Sequence, residues 1–159
     1  MAYTEEQYDK FSEHMEQLYP EMFGGSYGGF CIGPGWWPII ETLCAQIQNH
    51  IDWKNETRER LLKDNPYNHV VPDAIEQVVV EQIKEKFGGL RFYFRGGDEA
   101  VYGMVTMAEA WASKTCEDCG APGKTRPGGW IKVLCDEHEK ERQEQMTRRM
   151  NAELTFNPK

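Results

Sequence analysis

Four residues near the C-terminus constrain the fold of this chain most. Cys116 and Cys119 form a C-x-x-C pair, and Cys135 and His138 form a C-x-x-H pair after fifteen intervening residues. Three thiolates and one imidazole at this spacing are typical of a tetrahedral zinc site. Because protein side chains fill all four coordination places, we expect a structural Zn²⁺ that folds this segment, and not a catalytic ion with a bound water.

The rest of the chain has the composition of a folded protein. Of its 159 residues, 40% are hydrophobic and 12% are aromatic, which is enough apolar surface to offset the entropy lost on ordering the backbone. The length suits one compact core with a small metal-held appendage. We therefore predict a core over residues 1–113, a zinc-binding module over 114–150 and a loosely ordered tail over 151–159.

The charge balance argues against a general nucleic-acid-binding surface. The net charge is -8, and residues 114–149 hold 8 basic and 7 acidic side chains, so the predicted zinc module is close to neutral. Affinity for a polyanion comes from lysine and arginine displacing condensed counterions. A nucleic-acid-binding zinc finger is therefore only the third of the functions considered for this chain, after a small-ligand binder and a protein-interaction adaptor.

The sequence also bears on location. The ligand cysteines must stay reduced to hold a metal, which predicts a reducing compartment. The N-terminal sequence MAYTEEQYDKF has neither a basic start nor an apolar stretch, and no window approaches eighteen consecutive apolar residues. We expect no export signal, no membrane span and a cytoplasmic location.

Apolar periodicity predicts two helices in the first third of the chain. A capping box at Thr4 and Gln7 opens a helix over residues 4–18. A second helix, over residues 37–51, has Pro38 in its first turn. The segments that follow these helices are predicted as an irregular glycine-rich loop with aromatic side chains over 21–35, and a charged surface connection over 52–69.

Apolar and polar residues alternate in the middle of the chain, as in the strands of a β-hairpin. We predict a hairpin over about 75–95, with its turn at Gly88 and Gly89, followed by a helix over about 98–113 that Asp98 caps. A short strand before Cys135 and a charged helix to about residue 150 complete the module. The predicted fold class is α+β, with helices packed on a β-hairpin or small antiparallel sheet and a C-terminal treble-clef-like zinc module.

Five side chains are candidates for holding a ligand. Two consecutive tryptophans on one helix cannot both face the core, so one is free to stack on a flat molecule. Arginine and tyrosine alternate on one face of the second hairpin strand, where arginine offers planar donors for phosphate and tyrosine a ring for a base. An ordinary solvated face is the simpler interpretation. The functional hypothesis is a small nucleotide-like ligand bound by Trp36, Trp37, Arg91, Tyr93 and Arg95.

No catalytic residue is predicted. His14 and Glu16 match the H-x-E half of a zinc deaminase motif, but Thr115 replaces the proline that precedes the C-x-x-C pair in those enzymes. The glycine-rich segment lacks the G-K-[ST] ending of a phosphate-binding loop. The other histidines, His50 and His69, are expected to have core or surface roles. An unrecognised hydrolase stays open as an alternative.

Residues 78–138 carry a resemblance to a known family. They include the stretches VVVEQIKEKFGGLRFYFRGGDE, TCEDCGAPGK and GGWIKVLCDEH. This region resembles an uncharacterised family of small phage and prophage proteins. The resemblance implies a zinc site at Cys116, Cys119, Cys135 and His138 and a phage origin, with no settled activity.

By analogy with other small acidic phage proteins, we expect a non-enzymatic binding protein in the bacterial host cytoplasm that sequesters a nucleotide signal of host immunity. The alternative is a zinc-stapled adaptor that docks a host or phage protein through the zinc module and the last helix. Oligomerisation stays open in both cases.

Overall fold

A computed structural model describes residues 4–25, 27–65, 67 and 70–155 of the chain. Within these residues the fold is α+β, as predicted. The elements in chain order are α1 (Glu5–Leu18), α2 (Pro20–Phe23), β1 (Phe30–Cys31), a 3-10 turn (Pro34–Trp36), α3 (Trp37–Asp64), β2 (Val79–Lys86), β3 (Gly89–Arg95), α4 (Glu99–Ala112), β4 (Lys124–Arg126), β5 (Lys132–Leu134) and α5 (Asp136–Thr155).

The main sheet has three strands in the order β1-β2-β3. Strands β2 and β3 form the predicted antiparallel hairpin, but β1 pairs with β2 in parallel, with Phe30 opposite Ile83. The prediction of an antiparallel sheet is therefore corrected to a mixed one. Strand β1 has only two residues and lies inside the glycine-rich segment, where neither alternation nor β-propensity marks a strand.

The hairpin turn lies one residue earlier than predicted. Lys86 pairs with Gly89, so Phe87 and Gly88 are the two turn residues. Both have positive φ, 54° and 77°. A two-residue turn with positive φ at both positions matches the right-handed twist of the flanking strands. Phe87 accepts this unusual conformation, and its side chain is largely exposed.

Apolar side chains on one face of each of three helices form much of the core. Helix α3 packs against α4, and α4 packs against β3. Asp98 caps α4 as predicted, with its carboxylate accepting a hydrogen bond from the Val101 N–H at 3.1 Å. The buried stripes of the three longer core helices are Phe11 and Met15 in α1, Ile40, Leu43, Cys44, Ile47 and Ile51 in α3, and Val101, Val105, Ala108 and Ala112 in α4.

Helix α3 is longer than predicted. It continues to Asp64, through residues that the sequence analysis assigned to a surface connection. The apolar stripe ends at Ile51, but the charged residues beyond it are good helix formers. The extension is fixed by Asn55, whose side chain exchanges two hydrogen bonds with the backbone of Ile75, at 2.8 and 3.0 Å. His69, also placed in that connection, lies outside the described residues.

The C-terminal part of the chain, residues 114–155, contains the β4–β5 hairpin and helix α5. Strand β5 begins at Lys132, and α5 begins directly after Cys135. The helix continues to Thr155, so the prediction of a loose tail is corrected for residues 151–155. Residues 156–159 lie outside the described range. In the described part of the chain, no helix has the length and apolar character required to cross a bilayer.

Candidate metal centre and the surfaces around it

The four predicted ligands converge at one point. The Sγ atoms of Cys116, Cys119 and Cys135 and a ring nitrogen of His138 all lie within 4.8 Å of one another. The Cys119 and Cys135 sulfurs are 3.9 Å apart, and His138 Nδ1 lies 3.2 Å from Cys135 Sγ and 3.5 Å from Cys116 Sγ. Tetrahedral thiolates with bonds of about 2.3 Å to zinc lie about 3.8 Å apart. The cluster therefore has the dimensions needed to hold a metal ion.

Local backbone geometry positions these ligands. The turn between the first two cysteines closes with a hydrogen bond from the Gly120 N–H to the Cys116 carbonyl at 2.9 Å, and Gly120 has a positive φ of 78°. This conformation is costly for a residue with a Cβ, which explains the glycine. The β4–β5 hairpin then returns the chain to Cys135, and the first turn of α5 presents His138.

The thiols of this cluster differ in acidity. Desolvation opposes ionisation of Cys135, but hydrogen bonds from the backbone and ring of His138 outweigh it and lower the Cys135 pKa to about 7. Desolvation, together with the neighbouring cysteines, raises the pKa of Cys119 to about 11. Thiolates are the species that bind metal, and a bound cation favours their ionised form. Metal binding at this cluster should therefore release protons.

The centre is built against the core. The Gly35 N–H donates to the Glu117 carbonyl at 2.7 Å, and the Gly33 N–H donates to Glu117 Oε1 at 3.1 Å. The indole Nε1 of Trp36 donates to the Thr115 carbonyl at 2.8 Å. Burial raises the pKa of Glu117, against the opposing effects of Lys132 and the Gly33 N–H. These hydrogen bonds join the turn before α3 to the segment that contains the first two cysteines.

The two tryptophans of the predicted ligand site belong to the core side of the sheet. Trp36 is fully buried (0% exposed), so its ring has no surface to offer a ligand, and its predicted stacking role is corrected. Trp37 is half-buried. One face of its ring stacks on Phe11, with centroids 4.6 Å apart and planes 5° from parallel, and the edge of Tyr8 also contacts it.

The other three predicted residues lie on the opposite side of the sheet. Leu90, Phe92 and Phe94 face the core, as the alternation predicted, so Arg91, Tyr93 and Arg95 project from the other face. Tyr93 and Arg95 are exposed, and Arg91 is half-buried. Because the sheet separates the two sets, the structure does not bring the tryptophans and the arginines together in one site.

The sequence analysis missed a further member of that face. Lys84 of β2 is directly opposite Arg91, and its Nζ lies 5.2 Å from the ring centroid of Tyr93. The polar residues Gln82, Lys84 and Lys86 at every second position of β2 could have predicted that Lys84 shares a face with Arg91 and Tyr93. We call Gln82, Lys84, Arg91, Tyr93 and Arg95 the outer sheet face.

The glycine-rich loop borders the outer sheet face. A Cβ placed on Gly28 would lie 3.9 Å from the Gln82 amide nitrogen, and one on Gly25 would lie 3.4 Å from a Val79 methyl group. Arg91 is partly neutralised, since its Nη1 lies 3.7 Å from Glu109 Oε2 at the edge of β3. Among the described residues, Lys84 and Arg95 form no ion pair, so the outer sheet face presents two cations and the Tyr93 ring beside a loop with little side-chain bulk.

Comparison of the chain with protein-family models, with curated proteins and with solved structures found no match. The fold and the site together define an α+β protein with a four-ligand cysteine and histidine cluster suited to a metal ion.

Proposed function

We propose that the protein is a non-enzymatic binding protein in which a structural zinc ion holds a treble-clef-like module, while the outer sheet face binds a small nucleotide-like ligand. The metal would be held by Cys116, Cys119, Cys135 and His138. The cluster of thiolates favours zinc over the hard cations that prefer oxygen ligands. A C-x-x-C turn, a hairpin and a helix that supplies the last ligand in its first turn is the order of elements in a treble clef.

The closed ligand set supports a structural role for the metal. Four protein ligands complete a tetrahedral shell and leave no place for the water that a hydrolytic zinc activates. The zinc would instead contribute its binding free energy to folding. The zinc would therefore cross-link the turn at Cys116 to the start of α5.

One observation carries the ligand proposal: Lys84 and Arg91 are cross-strand neighbours of like charge beside the Tyr93 ring. Like charges directly opposite each other destabilise a strand pair. The Glu109 carboxylate, 3.7 Å from Arg91, offsets this repulsion only in part. A phosphate group between Lys84 and Arg91 would remove the remainder, and arginine can bind phosphate through two parallel hydrogen bonds. Tyr93, which is 39% exposed, would stack on the base.

The negative net charge of the protein would make the outer sheet face selective for small anions over extended polyanions. With a net charge of -8, the protein repels extended polyanions, and the cations of the outer sheet face act locally. The ligand is therefore proposed to be a small phosphorylated molecule and not a nucleic acid. Given the resemblance to phage proteins, we propose that it is a host immune signal, which the protein sequesters intact.

The test is calorimetry of the zinc-loaded protein against a panel of mono-, di- and cyclic nucleotides. We expect heat with at least one member, with the affinity reduced about tenfold or more by Arg95→Ala or Lys84→Met, as for loss of a charge-assisted hydrogen bond. Arg60→Ala, an exposed arginine on α3, is the matched control and should bind as the wild type does.

Three results would change the proposal. Absence of binding across the panel would contradict the nucleotide ligand. Recovery of a cleaved product, in place of the intact molecule released on heating, would show that the protein is a hydrolase. Affinity for DNA or RNA that falls steeply with salt would favour the nucleic-acid-binding alternative.

A specific observation favours a second candidate, a protein-interaction adaptor. An apolar groove of about 430 Å³ lies between α3 and α4. Met107 and Trp111 on its rim are 70% and 65% exposed, which is unusual for side chains of this size. A helix-in-groove partner would bury them. Recovery of a stable protein complex that Trp111→Ala abolishes, with no small ligand retained, would favour this function.

A further inference from the structure

A cleft of about 590 Å³ separates the edge of the main sheet from the C-terminal part of the chain. One wall is formed by β1 and the residues after it, including Phe30 and Gly33. The opposite wall is formed by Asp118, Trp130 and the face of α5 that carries Glu141. This volume is typical of sites for small molecules or for a single long side chain. We call it the acidic cleft.

The charges in the acidic cleft are mostly negative. Among the described residues, four carboxylates line it, from Glu85, Glu117, Asp118 and Glu141. Lys132 also lines the cleft, and its Nζ lies 3.6 Å from Asp118 Oδ1 and 3.7 Å from Glu117 Oε2. This lysine offsets one of the carboxylates, and an excess of negative charge remains. The cleft is thus the electrostatic opposite of the outer sheet face.

Glu117 supplies an observation that is independent of the charge count. The residue is only 5% exposed, and its Oε1 is satisfied by the Gly33 N–H. Its Oε2 is buried in the cleft wall and accepts no hydrogen bond from any described residue. Lys132 lies beyond hydrogen-bonding distance from it. The ion pair with Lys132 offsets only part of the cost of burying this oxygen without a hydrogen bond, and a ligand N–H that reaches it from the cleft would remove more of that cost.

Aromatic side chains complete the site. The Trp130 indole donates a hydrogen bond to Glu85 Oε2 at 3.1 Å, which fixes an otherwise exposed ring at the cleft. Tyr8 and Phe30 also line it. Aromatic rings combined with carboxylates are the usual environment of bound organic cations, because the ring face attracts positive charge and the alkyl part packs on it. A surface that carries only carboxylates lacks the aromatic rings on which the alkyl part of such a cation packs.

We propose that the acidic cleft binds an organic cation whose ammonium or guanidinium group donates to Glu117 Oε2 and whose alkyl chain lies against Trp130. Inorganic cations fit less well, since in the described part of the chain the only cluster of ligands close enough to hold a metal is the cysteine and histidine centre. The cation can be a free polyamine or a lysine or arginine side chain of a peptide. This site is independent of the proposed nucleotide ligand, which is anionic.

Calorimetry of the zinc-loaded full-length protein tests the proposal with two probes, spermidine and a short arginine-rich peptide. We expect at least one to bind, with a Kd that rises about tenfold in Glu117→Gln, as for loss of a charge-assisted hydrogen bond. Glutamine keeps an oxygen for the Gly33 N–H. Zinc content and thermal unfolding should be measured alongside to confirm that the variant is folded.

Two surface variants keep the test independent of folding. Glu141→Gln removes a charge from the cleft and should also weaken binding, whereas Glu144→Gln, on the same helix but outside the cleft, should not. Stronger binding of the peptide than of spermidine would identify a protein side chain as the source of the cation, and the reverse would identify a free amine. Failure of both probes to bind, or equal affinity in the wild type, Glu117→Gln and Glu141→Gln, would overturn the proposal.

Discussion

The indole nitrogen of Trp36 donates a hydrogen bond to the main-chain carbonyl of Thr115 across 2.8 Å. Thr115 immediately precedes the first cysteine of the metal centre, and Trp36 is the buried last residue of the 3-10 turn before α3. This contact joins positions that are 79 residues apart in sequence. The metal centre is therefore packed against the core. A substitution in the core near Trp36 should affect the metal centre, and loss of the metal should destabilise the core.

Replacing Trp36 should destabilise the whole protein. Trp36→Phe removes the donor to Thr115 and leaves a cavity in a site that is 0% exposed. We expect a loss of about 2–4 kcal/mol in the free energy of unfolding. Trp53→Phe, at a position that is 62% exposed, is the matched control and should change it by less than about 0.5 kcal/mol. Urea unfolding measures both, and equal effects would contradict the packing described.

Gly35 should tolerate no side chain. A Cβ at this position would collide with the Cys116 carbonyl and lie 2.7 Å from the Cys119 N–H nitrogen. Because these are backbone atoms of the turn that carries two ligands, Gly35→Ala should cost more than about 2 kcal/mol and weaken metal retention. Gly103 in α4 has open space around it, so Gly103→Ala should stabilise the protein by about 0.5–1 kcal/mol. Thermal unfolding and metal analysis of the two variants distinguish these outcomes.

The Asp98 carboxylate links α4 to α3 and makes stability depend on acid pH. Burial opposes its ionisation, but hydrogen bonds from His50 and from the backbone N–H of Val101 outweigh this and lower the Asp98 pKa. The folded state therefore gains stability above the unfolded pKa of about 3.9, and this gain disappears as the pH falls through the lower folded pKa.

The corresponding test compares Asp98→Asn with Asp98→Ala. Asparagine keeps an N-cap oxygen but does not ionise, so we expect Asp98→Asn to lose less stability than the wild type as the pH is lowered from about 5 to 3. Asp98→Ala removes the cap and should cost about 1–2 kcal/mol at neutral pH. Parallel acid-dependence of the wild type and Asp98→Asn would show that Asp98 does not contribute to the titration.

The cysteines outside the cluster provide a control for the metal centre. Cys119→Ser should abolish tight metal binding and unfold the turn around it, because three ligands no longer close the site. Cys31 is exposed and lies outside the cluster, so Cys31→Ser should retain the metal content of the wild type. Metal analysis of the two purified variants decides the point. Equal metal content in both would show that the four residues do not form the site.

The sequence analysis succeeded where one short-range pattern sufficed. The spacing of the four ligands predicted their convergence, and the 3.6-residue periodicity predicted helices α1, α3 and α4. The apolar stripe of α1 is only partly buried, since Leu18 at its end is 49% exposed. The alternation in β3 correctly separated the core side chains from Arg91, Tyr93 and Arg95.

The missed features depend on contacts between distant segments. Strand β1 exists because Phe30 meets Ile83 across a parallel pair, which two residues in a glycine-rich segment cannot signal. The far half of α3 is fixed by the contact between Asn55 and Ile75. Trp36 is buried where its indole donates a hydrogen bond to Thr115, which is 79 residues away in sequence. The two consecutive tryptophans alone therefore did not indicate which of them is buried.

The most direct test of the account is the metal content and ligand set of protein purified under reducing conditions. Elemental analysis should find one zinc per chain, and X-ray absorption should find three sulfurs at about 2.3 Å and one nitrogen at about 2.0–2.1 Å. Absence of a bound metal, or an oxygen from water among the ligands, would contradict the proposed closed structural site.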